Sequence, residues 1–284
     1  MTTLDQIDTP RRRRRTGSLT LWAGLALVLL HVLVGVTTLF WTPYDPIALA
    51  GGRLEAPSFA HWAGTDRLGR DFLTQIMIGS RIALIVGTGA VLTGAAIGVT
   101  LGLLAAFAQR LLDDALAATL DILIAFPTLL IAMLVVAAAE TANLGSAILA
   151  IGIALSAIVA RLTRILTKRV LLLDFIIAAR TSGTSWLGIV FRHILPNIWP
   201  TLSVSFALQF GLAVIAEASL SYLGLGAPPP NASWGRLLQE AQGTVYTAPI
   251  GAIAPGIALV SLVIGINLLA DGLRDTIDPT RAAR

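Results

Sequence analysis

Cysteine is missing from all 284 residues. Disulfide scaffolds, thiol catalysis and cysteine-ligated zinc or iron–sulfur sites are therefore excluded. Charge is scarce: Asp, Glu, Lys and Arg make up 13% of the chain, against roughly 25% in a soluble globular protein. Lysine occurs once, as Lys168, with Thr167 before it, so the Gly-Lys-Ser/Thr core of a phosphate-binding loop is absent. Three scattered histidines form no H-E-x-x-H pair, and no G-x-S-x-G elbow occurs. Nothing in the sequence looks catalytic. The 26 glycines follow no three-residue period, so the chain is not collagen-like. The net charge of +4 comes from one run, Arg11 to Arg15, and the rest of the chain is slightly acidic. Nucleic acid is not an expected partner. With 56% hydrophobic residues, a soluble fold would expose broad apolar patches that aggregate. What remains is an all-α integral membrane protein.

A helix needs about 20 apolar residues to cross the hydrocarbon core. Six stretches qualify: 20–41, 82–108, 115–139, 143–160, 198–224 and 249–270. The expected fold has six transmembrane helices. The first follows a basic stretch, as a signal peptide does, but its apolar run is too long and no small-residue cleavage site follows. It is expected to be retained. Basic residues orient the bundle. With the N-terminus inside, the inner segments hold Arg11–Arg15, Arg110, Arg161, Arg164, Lys168, Arg169, Arg180, Arg192, Arg274, Arg281 and Arg284, a total of 15. The outer segments hold Arg53, Arg67, Arg70, Arg81 and Arg236, a total of 5. Both termini are expected inside. This gives a basic tail at 1–19, a first helix with a long external segment at 20–79, a five-helix core at 80–273, and an inner tail at 274–284. Residues 42–80 hold Pro43, Pro46 and Pro57 and read as irregular.

Span two carries Ala90, Gly94, Gly98, Gly102 and Ala106 four residues apart. Lipid gives helices no hydrophobic drive to associate, so close backbone approach over small residues supplies it. The stripe is expected to pack within the chain or against a second membrane subunit. The subunit contact is the sharper expectation, assigned to Gly94, Gly98 and Gly102. Pro127 and Pro255 remove mid-helix hydrogen bonds, so kinks are expected there. Asp121 and Glu217 are acids near membrane depth, where an ionisable group often marks a pathway. Asp121 also reads as an inner-interface residue, and Glu217 as a partner for an arginine such as Arg81. His31 and Asn267 read as helix–helix hydrogen-bonding groups. No paired acids or inverted halves suggest ion coupling.

The inner connection 167–197 is the most informative segment. Asp174 to Ser182 suits a short helix that Asp174 caps. Gly183 supplies a left-handed stop. Thr184 or Ser185 caps a second helix carrying Trp186, Leu187, Val190 and Ile194, which Pro196 ends. Small Ala178 and Ala179 on the first helix make a knob that a partner's groove could close around. An amphipathic hairpin resting on the membrane fits equally well.

This loop resembles the EAA loop of ABC-importer permeases, with Ala178, Ala179, Gly183, Leu195 and Pro196 in register. Ile177 stands where that pattern has glutamate, and His193 where it has isoleucine. Gly64-Thr65-Asp66-Arg67-Leu68-Gly69-Arg70-Asp71, continuing to Gly79-Ser80-Arg81, is similar to a signature of dipeptide and oligopeptide permeases. So are Ala218 to Gly226 with Pro229-Pro230 and Ser233-Trp234-Gly235, and Pro255-Gly256 and Asn267 to Asp275 with Asp278-Pro279. The resemblance runs from about residue 20 to 281, and it identifies a C-type permease of a peptide ABC importer.

The resemblance implies a type I importer permease in a bacterial inner membrane, without its own ATPase. Its implied partners are a B-type permease, two ATP-binding subunits, an external substrate-binding protein and membrane lipid. It implies no cofactor in this chain, since ATP and Mg belong to the partner subunits. Asp174, Ile177, Ala178, Ala179, Arg180 and Gly183 would couple to the ATPase, apolar at Ile177. The outer group is Gly64, Thr65, Asp66, Gly69, Arg70, Asp71 and Arg81. If helical, Asp66–Arg70 and Arg67–Asp71 pair at four-residue spacing, with Thr65 or Asp66 as cap. That reads as a structural clamp at the mouth of span two, or as a binding-protein contact. The expected cargo is a dipeptide or oligopeptide, with nickel, glutathione or haem as alternatives. A self-sufficient ion-coupled carrier is the competing function.

Overall fold

The computed structural model describes residues 16–139, 143–226, 228 and 231–277. The Arg11–Arg15 run, Pro229-Pro230, Asp278-Pro279 and the tail beyond residue 277 lie outside the described residues. The elements are α1 (Thr16–Thr37), α2 (Phe72–Phe107), α3 (Arg110–Ala125), α4 (Thr128–Ala138), α5 (Leu144–Leu171), α6 (Asp174–Thr181), α7 (Trp186–Ile189), α8 (Leu195–Tyr222), α9 (Trp234–Ala241) and α10 (Ile250–Ile277). A π turn, Val190–Ile194, joins α7 to α8. Among the described residues the only extended pairing is one bridge between Thr65 and Asp71.

Five helices are long and apolar enough to cross a membrane, and the bent pair α3–α4 makes a sixth when taken as one span. The expected kink at Pro127 is a break of 94°. A proline pushes the residue before it out of helical geometry. Phe126 accordingly sits at φ −78°, ψ 139°, and Pro127 follows at ψ 126°. Two extended residues in a row break the helix rather than bend it. The neighbouring helices show that the pair still carries the chain across. Gly94, Gly98 and Gly102 of α2 meet Gly152, Ser156 and Ala160 of α5 in ascending order. Thus α2 and α5 run parallel, and the segment between them returns from one end to the other. Pro255, by contrast, lies in the second turn of α10 and does not interrupt it.

The small-residue stripe is filled within the chain. A Cβ at Gly98 would stand 2.5 Å from Val159 Cβ and 2.6 Å from the Ser156 carbonyl, both on α5. Gly94, Gly98 and Gly102 are all buried against that helix. The sharper expectation, that these three contact a second subunit, is therefore replaced by an intrachain seam. A second seam went unread in the sequence. Gly24 of α1 faces Gly265 and Leu269 of α10, and Gly272 faces Leu21.

His31 behaves as expected of a helix-bridging group. It shares hydrogen bonds with Ser261 on α10 at 2.9 Å and Ser80 on α2 at 3.4 Å, and its ring meets Trp234 edge-on at 5.4 Å.

Candidate functional sites at the two ends of the bundle

At the C-terminal end of α5 the chain forms the knob. Leu173 is the N-cap of α6 and makes no side-chain bond, so Asp174 lies inside the first turn and does not cap. Gly183 takes φ +82°. Its N–H donates to the Arg180 carbonyl, and the Thr184 N–H to Ala179, each at 3.0 Å. That is the paired closure of a Schellman turn. Ser185 caps α7 by accepting from the Gly188 N–H.

Pro196 does not end this second helix. The π turn widens the helix just before the proline, with the Leu195 N–H reaching back to the Val190 carbonyl. A widened turn relieves the clash between the proline ring and the carbonyl four residues earlier. One apolar helical run therefore extends over Trp186–Tyr222.

The knob is seated by aliphatic side chains. Ile176, Ile189, Ile194, Ile198 and Leu202 form a buried cluster with Val99 and Leu103 of α2 and Leu162 and Leu166 of α5. The Arg180 guanidinium lies 4.4 Å over the Trp186 ring, and that ring packs edge-on against Phe107 of α2 at 5.1 Å. Arg180 thus ties α6 to α7 instead of standing free. The outward surface carries Asp174, Phe175, Ile177, Ala178 and Leu187, while Ala179 is half-buried. Trp186 and Leu187 face outward, and Ile189 and Ile194 take the core side.

The opposite end gathers segments far apart in the sequence. Residues 64–71 are a turn, not a helix. The Asp66–Arg70 pair forms all the same, at 2.6 Å, because Asp66 also accepts from the Leu68 and Arg70 N–H groups. Gly64 and Gly69 take φ +78° and +90° to close the turn, and Thr65 bonds the Glu55 N–H and the Gly52 carbonyl. The expected Arg67–Asp71 pair is not made. Asp71 caps α2 through the Thr74 N–H at 2.8 Å, and its other oxygen holds His61 Nδ1 at 3.0 Å. Neither Thr65 nor Asp66 caps a helix. Arg67 donates instead to the Glu240 carbonyl, and Arg70 lies 3.7 Å from the Glu240 carboxylate. Glu240 completes this clasp and was missed in the sequence. Its only local signal was the spacing to Arg236, which it pairs at 2.9 Å. Arg81 stands apart from the clasp and donates to the Thr38 carbonyl.

The two acids of the apolar spans both find partners within the chain. Glu217 is buried, accepts from Ser221 at 2.7 Å and bonds Ser233. It does not meet Arg81. Ser233 in turn caps α9, and Trp234 Nε1 donates to the Ile76 carbonyl at 3.0 Å, so the Ser-Trp-Gly motif staples α9 onto α2 and α8. Asp121 pairs with Arg161 at 3.2 Å, both half-exposed. Asp113 holds Arg164 at 2.5 Å and also Lys168, so a ladder of ion pairs fastens α3 to α5. Asn267 is exposed on α10.

The profile of a family described as "Binding-protein-dependent transport system inner membrane component" matches residues 98–282. The glutathione transport system permease protein GsiD of Pectobacterium atrosepticum is 41% identical over 256 residues, which cover 88% of this chain and 85% of the relative. GsiD of Escherichia coli is 38% identical over 281 residues, 97% of this chain and 92% of the relative. A chain from an inward-facing structure of the MetNI methionine ABC transporter superposes with a TM-score of 0.60 at 19% identity. It covers 72% of this chain and 96% of its own length, and it speaks for the fold alone.

Proposed function

The chain belongs to the family of binding-protein-dependent transport system inner membrane components, multi-pass permeases of ABC importers, and from that premise we propose that it forms half of the membrane passage of an ATP-driven importer for glutathione. The observation that carries the cargo is the 41% identity to a glutathione permease across 88% of the chain. It favours the glutathione alternative over the di- or oligopeptide reading. Glutathione is itself a tripeptide, which suits the peptide-permease motifs around Asp66 and Ser219.

The working assembly in this reading contains a second, B-type permease, two ATP-binding subunits and an external binding protein. ATP and Mg are held by the ATP-binding subunits. Both termini lie inside, on the strength of the basic-residue asymmetry. The 80–273 segment is the permease core, and 20–79 adds the first helix and the outer clasp. The knob at 174–183 enters a groove of one ATP-binding subunit. Its support is the closed turn at Gly183, the exposed small side chain of Ala178 and the aliphatic seat that links it to α2, α5 and α8. With Ile177 in place of an acid, that docking is apolar.

The test is uptake by the complete importer in proteoliposomes, with its binding protein outside and ATP within. Labelled glutathione should accumulate only with ATP and the binding protein. Accumulation of a dipeptide with no competition from glutathione would reject the cargo. Accumulation by this chain alone under an ion gradient would reject the importer.

A further inference from the structure

Arg81 has no part in the transport reading, although it closes the Gly79-Ser80-Arg81 motif. Its guanidinium makes one long bond, 3.4 Å to the Thr38 carbonyl, and no described carboxylate pairs with it. Its depth is set by α1. The apolar run of α1, Leu19–Thr37, is 19 residues, about 28 Å of helix, close to the hydrocarbon thickness of roughly 30 Å. Thr38 follows at once, so Arg81 stands at the boundary between hydrocarbon and headgroups. An arginine without an anionic partner at that level attracts lipid phosphate.

Directly outward from Arg81, Met77 and Leu73 follow at steps of four residues on α2, about 6 Å each. Both line a cavity of about 380 Å³ whose other walls are Trp41, Pro43, Tyr44, Ala60, Trp62 and Asp71. This wall has three aromatic rings and no basic side chain, and its buried acid, Asp71, is already held by His61 and the start of α2. The Tyr44 hydroxyl holds two of these walls together by donating to the Ala60 carbonyl at 2.7 Å. Aromatic walls favour an organic ammonium, and tryptophan and tyrosine favour the headgroup level. The groove therefore offers a cation at the hydrocarbon boundary and an aromatic pocket one to two helical turns further out. A phosphate joined by a two-carbon linker to an ammonium has the matching order of charges.

We propose that the groove between the outer ends of α1 and α2 seats one zwitterionic phospholipid of the outer leaflet, with its phosphate on Arg81 and its ammonium among Trp41, Tyr44 and Trp62. The lipid anchors the outer clasp to the bilayer. The proposal rests on the membrane placement of the chain and on the orientation proposed above, and it is independent of the cargo.

The experiment is native mass spectrometry of the detergent-purified importer, titrated with phosphatidylethanolamine or phosphatidylglycerol. The wild type should retain phosphatidylethanolamine, and Arg81→Gln should weaken it about tenfold, the loss of one charge-assisted contact. Arg81→Lys should restore part of it. Trp62 is exposed, so Trp62→Ala tests the pocket without disturbing the core. It should weaken phosphatidylethanolamine and leave phosphatidylglycerol, which has no ammonium, unchanged. Equal retention by wild type, Arg81→Gln and Trp62→Ala overturns the proposal. Displacement of the lipid by millimolar glycerophosphoethanolamine would assign the pocket to a soluble zwitterion. Cross-linking of Met77→Cys to the second permease in high yield would assign the groove to a protein. Each of these overturns the lipid seat.

Discussion

Gly98→Ala is the smallest change that tests the seam between α2 and α5. The added methyl would stand 2.5 Å from Val159 Cβ and 2.6 Å from the Ser156 carbonyl, whereas carbon atoms in ordinary contact lie about 3.5–4.0 Å apart. The helices must part by about 1 Å to accept it. That separation also opens the contacts at Gly94 and Gly102, because the seam runs along four turns of parallel helix. Overpacking of this kind costs about 1–3 kcal/mol, roughly a 5- to 150-fold fall in the folded-to-unfolded ratio. The assay is denaturant unfolding of the isolated chain in detergent micelles. Gly256→Ala is the control, since a Cβ there meets nothing within 4 Å. Stability of Gly98→Ala within about 0.5 kcal/mol of wild type would refute the overpacking argument. A loss seen only with the second permease present would return the stripe to a subunit contact.

At the knob, a Cβ at Gly183 meets nothing within 4 Å, so only its φ of +82° resists substitution. Gly183→Val should uncouple ATP hydrolysis from uptake while Gly183→Asn retains most coupling, and Ala178→Trp should block coupling with assembly intact; normal uptake in both Gly183→Val and Ala178→Trp would remove the docking role. Asp71→Ala should lower stability by about 0.5–2 kcal/mol through loss of the α2 cap, with Asp71→Asn much milder, and thermal unfolding in detergent reads the difference. Cysteines at Ser58 and Asn231 should react with an impermeant reagent in whole cells and one at Thr184 should not; labelling at Thr184 from outside would invert the topology.

The segments legible in the sequence are those whose physics is local. The crossing helices follow from runs of apolar residues that only hydrocarbon accommodates. Gly183 is marked by the backbone itself, since a left-handed turn has to end α6 before α7 begins. The Asp66–Arg70 pair was legible from spacing, yet the expected helix was not the reason for it. A turn closed by Gly64 and Gly69 brings the same two side chains together. The short helix expected behind Thr65 or Asp66 does not form, and the helix that does form is capped by Asp71 instead, because Thr65, Asp66 and Asp71 are equally good capping types. Only the start of α2 at Phe72 distinguishes them.

The rest depended on which helices meet. Five glycines and alanines spaced for close approach state that some helix crosses there, and they are silent on whether it belongs to the same chain. The parallel packing of α2 and α5 answers that. Proline chemistry predicted a disturbance at Pro127, Pro196 and Pro255 alike. The structure made one a break of 94°, one a π turn and one an uninterrupted helix, because the cost of a proline depends on whether neighbouring turns can widen or the preceding residue turns extended. Glu240 lies 170 residues beyond Arg70, and Ser233 lies 16 beyond Glu217. By itself the sequence determined the solvent this chain lives in and the backbone shape of its tight turns, which depend on single residues and their near neighbours. The tertiary structure alone decided which charges meet and which small faces close, because those contacts join residues that only packing brings together.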